Sequence, residues 1–178
     1  MQGLPEAPIN TVSVCNLWTT DALRQSAQSA VPAPVNWLQM LKHAKNRFDK
    51  LTIYSSSIIS LRSEPFGQYV VERIFVLLGV LQEFMECLHT DGSYSGRNNE
   101  LIATHFSGAK AWFTDESDTN KRDYFEKLSF PDPEHDGNIF CPWHGKIKTP
   151  QYRIHFEWPI ESRKSLRVFY IGPKITKN

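Results

Sequence analysis

The residue types best suited to chemistry lie in two segments near the end of the chain that alternate as β-strands do. In residues 152–158 apolar and polar side chains alternate without a break, so Arg153 and His155 share one face. Residues 166–171 are rich in β-branched and aromatic side chains and carry Arg167. Two such segments around a short polar loop are typical of a β-hairpin with one apolar and one cationic face.

A cationic sheet face of this kind suits the binding of a phosphodiester. In such a cluster a histidine or lysine moves protons, while an arginine stabilises the charge that develops on the phosphate oxygens. RNA cleavage of this type needs no metal, because the 2′-hydroxyl is the nucleophile. A solvated polar face without a ligand is the alternative interpretation. The sequence predicts six nucleic-acid-binding residues and assigns none of them a catalytic role: Lys146, Lys148, Arg153, His155, Arg167 and Lys174.

Charge is distributed unevenly along the 178 residues, although the net charge is only +1. From residue 141 onward there are eight Lys or Arg residues against two acidic ones, whereas the first 140 residues carry 12 basic and 17 acidic groups. A basic segment on an acidic body fits contact with nucleic acid or with an acidic partner surface. The alternative interpretation of the excess of basic residues is that lysines at a sheet edge prevent pairing with other strands.

Metal chemistry has one candidate, the C-x-x-H half-site of Cys141 and His144. A tetrahedral zinc site usually needs two close ligand pairs. The other close pair, Cys87 and His89, lies in a predicted helix where Cys87 fits a buried position. The sequence therefore predicts no metal centre and no cofactor, and leaves open only whether the half-site binds a metal.

The cysteines and the hydropathy of the chain indicate the cellular compartment. The three cysteines have no regular spacing, and the first ten residues lack the basic start and apolar run of a signal peptide, which predicts reduced thiols in a cytoplasmic protein. The longest apolar run, residues 74–81, is far shorter than the roughly 20 residues that cross a bilayer. No membrane contact is expected.

The segments that must position the cationic face are predicted to be mainly helical. Asn36 is a suitable N-cap, and apolar residues four and three apart predict one helix from there to about Leu61. The same spacing predicts a second helix over residues 66–89. Two long amphipathic helices joined by a short turn form an antiparallel hairpin. Short helices are also expected at 22–30, 100–106 and 120–128, and short strands at 11–18, 110–114 and 143–148.

The expected fold class is α+β: a long antiparallel helical hairpin with short extra helices, followed by a small antiparallel β-sheet at the C-terminus. Residues 1–35 are interpreted as an N-terminal extension with a short helix and a proline linker. Residues 36–130 form the helical region, and residues 131–178 form the basic antiparallel β-region, in one domain with the helices.

Two strings in the C-terminal region resemble a known family. Y-R-I-H-F (152–156) and L-R-V-F-Y-I-G-P-K (166–174) are similar to the closing strands of the RelE-like toxin superfamily, small bacterial ribonucleases with a basic antiparallel sheet. W-H-G-K-I (143–147) and Y-I-G-P-K (170–174) also resemble the closing segments of uncharacterised small bacterial proteins. Arg97 and His105 resemble the R-x(4–6)-H motif of the HEPN ribonucleases, although seven residues separate them.

No catalytic constellation is complete, so the sequence favours a binding role over an enzymatic one. The predicted function is a non-catalytic subunit of a bacterial multiprotein system such as phage defence. Its helices would dock a protein partner, and its basic sheet would bind nucleic acid or an acidic surface. The alternative, which the resemblance implies, is a metal-independent ribonuclease or RelE-like toxin effector.

Overall fold

The computed structural model describes residues 3–4, 7–8, 16–30, 32–160 and 165–176 and divides the chain into two compact units, Met1–Ala33 and Pro34–Asn178. The first unit pairs two short strands, β1 (Gly3–Leu4) and β2 (Ala7–Pro8), and contains helix α1 (Thr20–Ala30), which confirms the short helix expected there. Of the strand predicted at 11–18, residues 11–15 lie outside the described ranges, and residues 16–18 form no strand.

The second unit is α+β, as expected, and is organised around a five-stranded sheet. Its helical elements are α2 (Trp37–Arg47), a 3-10 helix (Ser55–Leu61), α3 (Gln68–Glu86), α4 (Gly96–Leu101), a π-helical turn (Ile102–Phe106) and α5 (Asp118–Asp123). Its strands are β3 (Leu51–Ile53), β4 (Phe113–Thr114), β5 (Ser129–Pro131), β6 (Asn138–Phe140), β7 (His144–Ile147), β8 (Tyr152–Phe156) and β9 (Leu166–Pro173).

The strand order in the main sheet is β3-β9-β8-β7-β4, and β5 pairs with β6 in a separate two-stranded sheet. The predicted hairpin is present as the antiparallel pair β8–β9. The sheet is not purely antiparallel, because β3 joins it parallel to β9. This parallel pair brings together residues more than a hundred positions apart in sequence, and a local pattern carries no information about such a partner.

The prediction of a long first helix in a helical hairpin is wrong. Helix α2 begins as expected, because the Asn36 side chain accepts a hydrogen bond from the Gln39 N–H at 2.9 Å. It ends at Arg47, and the chain continues as β3 and the 3-10 helix. The four apolar residues assigned to the rest of that helix are buried all the same: Phe48, Leu51, Ile58 and Leu61. The spacing thus identifies the core positions, while pairing with β9 decides the conformation.

Helix α3 confirms the second predicted long helix and forms the centre of the core. Its apolar side packs against one face of the main sheet, where β7, β8 and β9 present buried side chains. Gln82 of α3 also fixes the turn after α2: its Oε1 accepts from the Lys50 N–H at 2.9 Å, and its Nε2 donates to Asp49 Oδ1 at 2.6 Å.

The shorter elements lie where the sequence predicts them but differ from the predictions in length. Residues 100–106 are helical as expected, within α4 and the π-helical turn. Strands β4 and β7 fall inside the segments predicted for them, whereas α5 ends at Asp123, short of the predicted 128. Within the described ranges, no helix is long and apolar enough to cross a bilayer.

Gly145 of β7 lies in close contact with Phe113 of β4 and with Leu77 of α3. A Cβ atom at this position would lie 2.9 Å from Phe113 Cε1 and 3.4 Å from Leu77 Cδ1. We expect Gly145→Ala to lower the free energy of unfolding by about 1–3 kcal/mol, because the surrounding rings must move. Gly96→Ala is the matched control, since a Cβ there meets nothing within 4 Å. Urea denaturation of both variants measures the difference, and equal stabilities would contradict this account of the packing.

Candidate functional site

The polar face of the main sheet carries most of the residues singled out from the sequence. On neighbouring strands Lys146 lies opposite Arg153, and His144 lies opposite His155. Next to them on β9, Tyr170 lies opposite His155, and a register shift follows between residues 155 and 156. The strand alternation inferred from the sequence is therefore correct, and it separates a cationic row from a histidine row.

The cationic row continues into two residues that follow the strands. Lys148 comes directly after β7, and the Lys174 N–H after β9 donates to the Gln151 carbonyl oxygen at 2.8 Å. Lys146, Lys148, Arg153 and Lys174 together are the basic end of the sheet. Within the part of the chain that the structure describes, none of these four side chains forms an ion pair with a carboxylate.

The positive charges at the basic end interact electrostatically with one another and with the two histidines. Burial lowers the pKa of Lys146, and the charges of Arg153 and Lys148 lower it further. Burial also lowers the pKa of Arg153. Like charges held together in this way destabilise one another, and a bound anion relieves the repulsion.

Arg153 is held in a fixed orientation by the backbone. Its Nη1 donates to the Tyr152 carbonyl oxygen at 2.9 Å and to the Ile147 carbonyl oxygen at 3.3 Å. Its Nε is buried and has no hydrogen-bond partner among the described residues. A guanidinium carries five N–H donors, so two carbonyl contacts leave donors on Nη2 for an anion.

The two histidines are enclosed rather than presented to solvent. His155 is 0% exposed and His144 is 4% exposed, with 5.3 Å between their ring centroids. His155 Nδ1 lies 2.9 Å from the Cys141 carbonyl oxygen, which only accepts, so Nδ1 carries the proton and Nε2 keeps a lone pair. Burial lowers the pKa of His144 to about 4 and lowers that of His155 as well. Both rings are therefore neutral at pH 7.

Glu116 lies beside the histidines and was not predicted from the sequence. It is buried, and its Oε1 is 3.5 Å from His144 Nδ1. The Asn120 amide donates to Oε2 at 2.7 Å and the Thr176 hydroxyl donates to Oε1 at 3.0 Å. Glu116 precedes a helix start in sequence, and no local pattern there distinguishes it from a surface acid. This carboxylate is held by neutral donors, so the network fixes side chains and presents no group to a substrate.

Arg167 is the clearest departure from the predicted nucleic-acid-binding set. It is 2% exposed, and its guanidinium pairs with Asp132 at 2.8 Å and with Glu157 at 2.9 Å. Burial opposes ionisation of Asp132, yet the Glu134 N–H and Arg167 lower the pKa of Asp132 to about 2. The cation is thus neutralised inside the protein and holds the β5–β6 turn against β9.

The expectation that His155 and Arg167 face solvent is wrong, because the β5–β6 hairpin covers that part of the polar face. Phe130 of β5 lies 5.8 Å from the His155 ring and 5.7 Å from the Tyr170 ring, centroid to centroid. Alternation along one strand identifies a polar face but does not show what covers it. Nucleic-acid binding by the four residues of the basic end stays a prediction.

The other candidates from the sequence do not assemble into a site. Arg97 pairs with Glu83 at 2.6 Å and with Glu100 at 2.8 Å, while the His105 ring packs on Trp112. Burial raises the pKa of the Cys141 thiol to about 12. Across the described ranges, no three His, Cys, Asp or Glu side chains are grouped so as to hold a metal ion.

No protein-family profile, curated protein or solved structure matches this chain. The resemblance of the C-terminal strands to RelE-like toxins therefore stays a prediction from the sequence.

We expect folding stability to fall as the pH decreases from about 6.5 to about 4. The folded-state pKa of each buried histidine lies below its unfolded value, so in this range the unfolded chain binds protons that the folded chain does not. Each histidine then lowers the free energy of unfolding by about 1.4 kcal/mol per pH unit.

The test compares urea denaturation at several pH values for three proteins. His155→Asn keeps a donor to the Cys141 carbonyl oxygen but does not titrate, so its stability should depend less steeply on pH. His89→Gln, at an exposed position, should behave as the wild type. Identical slopes for wild type and His155→Asn would contradict the neutral, buried state of His155.

Replacing Arg167 should destabilise the protein more than most single changes. We expect Arg167→Met to lower the free energy of unfolding by about 3 kcal/mol, because it leaves the Asp132 side chain, which is 6% exposed, without its guanidinium counter-charge. Adding Asp132→Asn should restore part of this loss, and thermal denaturation measures both. If the double variant is less stable than the single one by the full effect of Asp132→Asn alone, the two residues are not coupled.

Proposed function

We propose that this protein is a non-catalytic nucleic-acid-binding component whose basic end contacts the phosphate backbone. The observation that carries the proposal is the gathering of Lys146, Lys148, Arg153 and Lys174 at one end of the sheet, where none of the four forms an ion pair with a carboxylate among the described residues. The buried Glu116 carboxylate interacts electrostatically with Arg153. One carboxylate does not balance four cations, and a polyanion supplies the remaining counter-charge.

The geometry of the basic end suits phosphate. Arg153 is oriented by two backbone carbonyl oxygens, so it loses little conformational freedom when a phosphate oxygen binds. Lys146 lies on the polar face of β7 opposite Arg153, and Lys148 is exposed in the turn that directly follows this strand. Lysine ammonium groups act as mobile point charges around the fixed guanidinium.

Contact at the basic end should be with the backbone and not with bases, because the neighbouring aromatic residues belong to the core. Tyr152 is buried, and its hydroxyl donates to Glu64 Oε2 at 2.8 Å. The Tyr170 hydroxyl donates to the Pro173 carbonyl oxygen at 2.7 Å. Trp143 packs on Trp158, with 5.8 Å between centroids. Contacts to phosphate carry no sequence information, so binding at this end should be independent of sequence.

The ribonuclease alternative has less support. His155 is 0% exposed and Arg167 is neutralised by Asp132 and Glu157, so the two residues best suited to acid–base chemistry and to charge stabilisation do not reach a substrate. Nucleic-acid binding therefore explains the clustered cations of the basic end better than RNA cleavage does. Membership of a bacterial multiprotein system, and a protein partner docked on the helices, stay predictions from the sequence.

The salt dependence of binding tests the proposal. We expect the full chain to bind duplex DNA of arbitrary sequence, with log K falling linearly with log[salt] and a slope of about −3.6 if all four cations contact phosphates. Lys146→Gln/Lys148→Gln should weaken binding and reduce the magnitude of the slope by about 1.8, since two contacts are lost. Fluorescence anisotropy over a range of salt concentrations measures both quantities.

The matched control is Lys42→Gln/Lys50→Gln, which removes the same charge from two exposed positions in and after α2. It should leave the slope unchanged. An equal loss in both double variants would mean that net charge alone causes the binding. Absence of binding to duplex and to single strands at low salt would overturn the proposal, as would cleavage of RNA by the unmodified protein.

A further inference from the structure

The β5–β6 hairpin has an outer face that the covering role described above does not use. Residues directly opposite one another in an antiparallel pair share a face, and Ser129 lies opposite Phe140 while Phe130 lies opposite Ile139. Phe130 faces inward, onto His155. Ser129, Phe140 and, two positions along, Asn138 therefore face away from the main sheet.

An aromatic pair lies on this outer face. Phe125, in the turn before β5, stacks on Phe140 with 4.9 Å between ring centroids and 27° between ring planes. Phe125 is 55% exposed, whereas Leu128 of the same turn is fully buried and anchors the segment. The fold thus keeps the turn in place through Leu128 and leaves one side of a phenyl ring in water.

Polar groups surround the exposed ring. An open depression in the surface is lined by Phe125, Glu126, Ser129, Asn138 and Phe140. The Ser129 hydroxyl donates to the Phe125 carbonyl oxygen at 2.8 Å, so its oxygen remains an acceptor. The Glu126 carboxylate and the Asn138 amide form no hydrogen bond to the side chains or backbone of the described residues.

This combination of a stacking ring with an edge of hydrogen-bonding groups fits a flat heterocycle. A nucleobase stacks on an aromatic side chain through its π-face and offers donors and acceptors at its edge. An asparagine amide, with one donor and one acceptor side by side, complements the N6 donor and N7 acceptor of adenine. An apolar side chain of a protein partner would use the ring but would leave the amide and the carboxylate unmatched.

We propose that the outer face of the β5–β6 hairpin binds a nucleobase, with Phe125 as the stacking surface and Asn138 as the group that favours adenine. This goes beyond the proposed function, because the basic end contacts phosphate and this site contacts a base. The site therefore accepts a nucleoside that carries no phosphate.

Adenosine is the probe, since it separates this site from the basic end. The full chain, labelled with 13C in its phenylalanine rings, is titrated with adenosine and separately with uridine while NMR records the ring resonances. We expect the Phe125 and Phe140 resonances to shift with adenosine and to respond more weakly to uridine. Asn138→Ala should abolish this preference.

Variants of Phe125 identify the ring as the binding surface. Phe125→Leu keeps an apolar side chain and should lower the affinity for adenosine about tenfold, the loss expected for removing one stacking contact. Phe125→Tyr keeps the ring and should retain binding, which shows that substitution at this position does not simply disturb the fold. Lys146→Gln/Lys148→Gln should bind adenosine as the wild type does.

Three results would overturn the proposal. They are an absence of ring shifts at millimolar adenosine, unchanged affinity in Phe125→Leu, and shifts that follow an apolar peptide but not a nucleoside. Loss of duplex binding in the lysine double variant with adenosine binding intact would support both sites independently. Adenosine binding without any duplex binding would retain this site and reject the basic end.

Discussion

The main sheet is buried on both faces around β8 and β9, and this constraint determines what the rest of the second unit must supply. On one side α3 provides apolar packing. On the other side the polar face brings Arg167 into the interior, where an unpaired cation is strongly unfavourable. Asp132 and Glu157 therefore have to accompany it. The acidic β5–β6 turn is a consequence of that buried charge and not an independent surface feature.

The same covering separates the residues that can bind from those that only hold the structure together. In the interior, burial keeps His144 and His155 neutral, and the Glu116 carboxylate accepts hydrogen bonds from Asn120 and Thr176. Beyond it, Lys148 reaches solvent, and Lys146 and Arg153 remain half-exposed. One sheet face thus has an enclosed histidine row next to a basic end that an anion can reach. The residue types along the strands are similar, and the difference comes from what lies over them.

Much of the fold follows from local patterns, and the exceptions share a cause. The Asn36 cap, helix α3 and the β8–β9 hairpin each depend on residues close in sequence, and each is present. The first long helix was extended too far because Leu51 fits a helical stripe and a buried strand equally well. In the site, alternation predicts that Lys146 and Arg153 each lie on the polar face of their strand, whereas their pairing depends on the register between β7 and β8. The cover over His155 does not, since residues 129–131 contain no sign of the surface that they pack against.

The position of β9 between β3 and β8 has a consequence for how the chain folds as it is made. In the sheet β9 lies between β3 and β8, and among the described residues it is the last strand in sequence. Residues 51–53 therefore wait for residues 166–168 to leave the ribosome before their backbone groups are paired. The central contacts are distant in sequence, so the search for them is slow relative to helix formation. During synthesis the sheet that covers the apolar side of α3 is therefore incomplete until β9 is made, and apolar surface exposed at that stage favours aggregation.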